Sequence, residues 1–86
     1  MKHAGAGALD RLEPLLAQIR ALGGLQEKRR GVFYLKARAF LHFHEDPAGL
    51  FADLRVAGDD FERLKVDERA GAQTLVERAA AHLRKP

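Results

Sequence analysis

Eighty-six residues limit this chain to one domain with a modest core, and the absence of cysteine excludes disulfides and thiolate metal sites. Apolar residues at 47% and charged residues at 31% fit a soluble globular domain. No apolar run approaches the roughly 20 residues of a membrane span, and a net charge of +3 is too small to argue for nucleic-acid binding by itself.

Residues 1–8, Met-Lys-His-Ala-Gly-Ala-Gly-Ala, read as a flexible small-residue tail. They lack the apolar core of a secretory signal, which points to the cytoplasm. A single domain is expected over residues 9–86. Leu9, Leu12, Leu15, Leu16, Ile19 and Leu22 recur at helical steps and predict a first helix over 10–22. Asp10 with Glu13 has the pattern of a capping box, Pro14 then falls in the first turn, and Gly23-Gly24 ends the helix.

From Gly31 the period changes to two. Strands are predicted over 32–36, 39–44 and 50–56, with turn chemistry in Glu45-Asp46-Pro47-Ala48-Gly49. Residues 61–66 are ambiguous, with a short edge strand as one option. Asp67 is a candidate cap for a second helix over 68–84, whose apolar face is Ala72, Leu75, Val76, Ala79 and Leu83. Gly71 looks like a weak point in it. The fold class is therefore α+β: a two-layer sandwich of helix, three or four antiparallel strands and helix, both helices on one sheet face.

Matching faces across the hairpins sets a register. Leu41 opposite Leu54 puts Phe43 opposite Ala52, His42 opposite Asp53, His44 opposite Phe51 and Phe40 opposite Arg55. Phe33 opposite Leu41 puts Leu35 opposite Ala39 and Tyr34 opposite Phe40. One face is then wholly apolar: Phe33, Leu35, Ala39, Leu41, Phe43, Ala52, Leu54 and Val56. The other mixes Val32, Tyr34, Phe40 and Phe51 with Lys36, His42, His44, Asp53 and Arg55. A solvent-facing sheet surface should be mostly polar, so this second face reads as an interface or ligand surface.

His42-Phe43-His44-Glu45-Asp46 puts two imidazoles on one side of a strand, followed by two carboxylates. A metal ion would need a third ligand, from Asp53, Glu45 or Asp46. A cross-strand His42–Asp53 pair and an organic-ligand site are the competing readings. The expectation is a structural or interface role, with no metal ligand, cofactor or catalytic residue assigned. His3 and His82 look incidental. Catalysis is poorly served, because serine is absent and the only hydroxyls are on Thr74 and Tyr34. No phosphate-loop pattern occurs.

Charge is segregated along the chain. Residues 20–44 carry +5 and residues 45–68 carry −5, which favours an oriented encounter with a charged partner or a second copy. Lys28, Arg29, Arg30, Lys36 and Arg38 surround the first hairpin, where Tyr34 and Phe40 could stack bases. The acids beside them, Asp53, Glu45 and Asp46, oppose phosphate.

The runs Phe40-Leu-His-Phe-His-Glu and Gly49-Leu-Phe-Ala-Asp-Leu sit in a segment, 28–66, that resembles a group of small bacterial proteins of unassigned function. The resemblance implies a bacterial source and a compact α+β domain, and brings no activity, cofactor or catalytic residue.

The functional expectation is a non-enzymatic interaction module, a homodimer joined through Tyr34, Phe40, His42, His44, Phe51, Asp53 and Arg55. The alternatives are a nucleic-acid-binding domain using the basic hairpin and, third, a small metal- or ligand-dependent enzyme.

Overall fold

The computed structural model describes residues 1–84, so the last two residues of the expected 9–86 domain lie outside it. The elements run β1 (Lys2–His3), α1 (Ala6–Ala21), β2 (Gln26–Arg29), β3 (Val32–Leu35), β4 (Arg38–Asp46), β5 (Gly49–Ala57), β6 (Asp60–Lys65) and α2 (Arg69–Leu83). The fold is α+β. Its sheet has six antiparallel strands in the order β2-β3-β4-β5-β6, with β1 paired to β4. The expectation of three or four strands was low by the two polar or terminal strands, β1 and β2, and by the full length of β6.

The opening residues are placed as structure where a tail was expected. Lys2 pairs with Glu45 and His3 with His44, and the Ala4 N–H donates to the Phe43 carbonyl at 3.1 Å. Helix α1 starts at Ala6, not Asp10, because Ala8 and Leu9 pack against the core. Its N-cap is Gly5, whose N–H donates to Glu45 Oε2 at 2.6 Å. Asp10 and Glu13 form no capping box. They accept hydrogen bonds from Arg30 at 2.8 and 2.9 Å instead. Pro14 thus sits inside the helix, where it removes one backbone hydrogen bond.

Strand β2 is an exposed, polar edge strand with no apolar alternation to betray it. It turns into β3 through Gly31 at φ +80, where a Cβ would meet Leu9 Cδ2 at 2.7 Å. Only glycine meets both demands.

The expected β4–β5 register is observed from Leu41↔Leu54 to His44↔Phe51. The β3–β4 pairing keeps Phe33↔Leu41 but then shifts, giving Tyr34↔Ala39 and Leu35↔Arg38. Phe40 is the extra residue of this bulge. A bulge re-aims the side chain it displaces. Phe40 is accordingly buried in the core, its ring 6.0 Å from the His82 ring of α2. The assignment of Phe40 to the mixed face is therefore corrected, and so is the incidental reading of His82.

One buried cluster unites Leu12, Leu15, Leu16 and Ile19 of α1, Leu75 and Ala79 of α2, and Phe33, Leu41, Phe43, Leu50, Ala52 and Leu54 of the sheet. Leu35, Ala72 and Val76 pack partly buried against it. The second helix is preceded by Glu68 as its N-cap residue, not Asp67. The Asp67 carboxylate instead accepts from Lys65 at 3.1 Å. Gly71, the expected weak point, is a place of close approach between α2 and the chain leaving β6: a Cβ there would lie 1.8 Å from the Lys65 carbonyl oxygen.

Candidate functional site

The register of β1 against β4 brings a third imidazole to the His-x-His pair. His3 is paired with His44, and directly paired residues share a sheet face. One ring nitrogen from each of His3, His42 and His44 lies within 4.8 Å of the others. The His3 and His44 rings meet edge-on with centroids 4.7 Å apart, and the His42 and His44 centroids are 4.9 Å apart. His42 Nδ1 is 3.1 Å from His44 Nε2. His3 is exposed, whereas His42 and His44 are half-buried.

Behind the imidazoles lies Asp53, a carboxylate only 8% exposed. Arg63 of β6 holds it with two hydrogen bonds, Nε to Oδ1 at 2.8 Å and Nη2 to Oδ2 at 2.9 Å. This planar two-point contact lowers the pKa of the acid. His42 is opposite Asp53 in register, as expected. The imidazole nitrogen near the carboxylate is nevertheless that of His44, with Nδ1 at 3.6 Å from Oδ2. That nitrogen is buried and makes no hydrogen bond.

These positions select a proton arrangement. A bare Nδ1 lone pair on His44 would face a carboxylate, so the proton belongs there. His44 Nε2 is then an acceptor, aimed at His42 Nδ1. Burial disfavours the charged form of both rings, lowering the affinity of His42 and His44 for a second proton despite the attraction of Asp53.

Around this group lie the remaining residues of the mixed face. Phe61 of β6 packs on His42 with centroids 5.4 Å apart, and the Arg55 guanidinium sits 4.6 Å from the Phe61 ring centre. Arg55 also donates from Nε to the Ala39 carbonyl at 2.7 Å, so it braces the bulge rather than facing Phe40. Phe51 is half-buried opposite His44. Tyr34 is half-buried with Lys28 Nζ 4.4 Å from its ring centre.

Two of the basic residues of the first hairpin are engaged within the chain. Arg30 is tied to Asp10 and Glu13, and Arg38 to Asp59 and the Gly58 carbonyl. Arg29 is exposed on β2, and Lys36 occupies the β3–β4 turn at φ 58. A groove of about 380 Å³ near the bulge is lined by Leu35, Phe40, Arg55 and His82 among others, and not by His3, His42 or His44.

Sequence reasoning missed His3, Phe61 and Arg63. The small-residue context of His3 hid its strand, and the uncertain 61–66 segment hid the register that sets Arg63 opposite Asp53. Among the described residues, no helix is long and apolar enough to cross a membrane. No family model, curated protein or solved structure matches this chain.

Proposed function

We propose that this chain is a non-enzymatic binding module that self-associates as a homodimer. The contact surface is the sheet face of Tyr34, His42, His44, Phe51, Asp53 and Arg55, with both helices on the opposite Phe33–Leu41–Leu54 side. The observation that carries this reading is the exposure of apolar surface on that face. Phe61 is 37% exposed, and Val32, Tyr34 and Phe51 are half-buried beside it.

A second copy is the occupant that fits. The charges of this face are largely satisfied within the chain, Asp53 by Arg63 and Lys65 by Asp67, so the rings of Tyr34, Phe51 and Phe61 are what it offers to a twin presenting the same patch. The molecule measures 37 × 22 × 21 Å along its principal axes. Its broad side is of the order of the roughly 800 Å² per partner that a stable interface covers. Pairing through strand edges is disfavoured, because β2 presents Lys28 and Arg29, and β6 presents Glu62 and Arg63.

Nucleic-acid binding draws less support, since Arg30 and Arg38 already face carboxylates. An enzyme draws less still: Asp53 is occupied by Arg63, and Thr74 lies on α2. Light scattering on the untagged chain tests the reading. A mass near twice 9.5 kDa, returned to one chain by Phe51→Asp with the circular dichroism unchanged, is the expected result. A monomer at high concentration removes it.

A further inference from the structure

We propose that His3, His42 and His44 form a binding site for a first-row divalent transition ion, with zinc as the physiological class of ligand. The site is built within one chain and does not rest on self-association.

The donor set is three imidazoles without thiolate, which suits zinc and its neighbours and not magnesium or calcium. Spacing supports it. Zinc–nitrogen bonds of about 2.0–2.1 Å in tetrahedral geometry separate two donor nitrogens by about 3.3 Å. His42 Nδ1 and His44 Nε2 are 3.1 Å apart. His3 contributes a nitrogen within 4.8 Å and must close by an ångström or so. It is exposed on a two-residue strand, so its side chain has room to swing inward.

The surroundings point the same way. Ligating histidines commonly donate their other ring N–H to a carboxylate, which fixes the tautomer and strengthens the donor. His44 Nδ1 faces Asp53 Oδ2 at 3.6 Å, and that nitrogen is buried with no other partner. Arg63 in turn clamps Asp53 from behind. The chain Arg63–Asp53–His44 therefore aims the Nε2 lone pair at the point between the three rings. An ion there would take the place of the proton between His42 Nδ1 and His44 Nε2, with His42 shifting that proton to its own Nε2 so that the ring stays neutral and ligates through Nδ1. In the single chain the exposed His3 side leaves a fourth position for water.

Calorimetry and thermal unfolding of the untagged full chain with zinc chloride test the site. The expected result is one zinc per chain, whatever the oligomer mass, with a raised unfolding temperature. His3→Ala should weaken binding at least about tenfold, and Asp53→Asn by about 10–100-fold. His3 is exposed, so its variant should keep the wild-type circular dichroism. Cobalt(II) provides a second readout on the unaltered chain. A three-nitrogen tetrahedral site gives intense visible bands, whereas adventitious six-coordinate binding gives weak ones. No heat and no stabilisation with excess zinc, affinity unchanged by His3→Ala, or only weak cobalt bands would each overturn the proposal.

Discussion

His44 Nε2 lies 3.1 Å from His42 Nδ1, so one proton at most fits between the two rings. That contact, with the burial around it, makes the site sensitive to acid. Both imidazoles resist protonation in the folded chain because burial penalises their charged forms. Their folded pKa values lie below those of the unfolded chain, which therefore binds more protons within that window. Stability should be full above about pH 6.5 and lost as pH falls through the folded values. Urea midpoints measured between about pH 7.5 and 5.5 check this. The midpoint should drop on acidification, and His42→Gln/His44→Gln should flatten the profile. A midpoint that rises or stays level in wild type would contradict it.

The Asp53–Arg63 pair should be worth more than an ordinary surface ion pair. Its carboxylate is almost buried while the guanidinium is half exposed. Arg63→Gln leaves the acid without its two strongest donors and should destabilise the fold by about 1–3 kcal/mol. Asp53 should also titrate at higher pH in that variant, which carboxylate NMR can follow.

Phe40 separates the core from the contact surface. Its ring is buried beside His82. Phe40→Ala should cost about 3–5 kcal/mol in chemical denaturation, and the molecules that remain folded should keep the wild-type association constant. Dissociation without loss of stability would place Phe40 on the outer face after all.

Gly71→Ala offers a test with a sign that helix propensity gets wrong. Alanine in a helix gains up to about 1 kcal/mol over glycine. Here the new methyl would meet the Lys65 backbone at 1.8 Å. The variant should lose about 1–3 kcal/mol, as overpacked sites do.

Much of this geometry was legible in the sequence, and the failures have physical causes. Alternation through Leu41-His42-Phe43-His44 and Phe51-Ala52-Asp53-Leu54 set the β4–β5 pairing, because a slip of one residue would bury the charges. Periodicity does not announce a bulge, so Phe40 was put on the wrong side. Lys2-His3 and Gln26–Arg29 join the sheet through backbone bonds at its margins, where no apolar pattern is needed. That is why the third imidazole stayed out of sight. The helix starts at Ala6 rather than Asp10, where Ala8 and Leu9 pack against the core and the Gly5 N–H donates to Glu45, forty residues away.

The proposed dimer covers the face of His42, His44 and Phe51 with a second copy. Hydroxyl-radical footprinting across a dilution series measures this directly. Tyr34, Phe51 and Phe61 should be protected in concentrated solution and become reactive on dilution, in step with a fall in mass to one chain. Reactivity of these rings that stays constant and high over the whole series would contradict it.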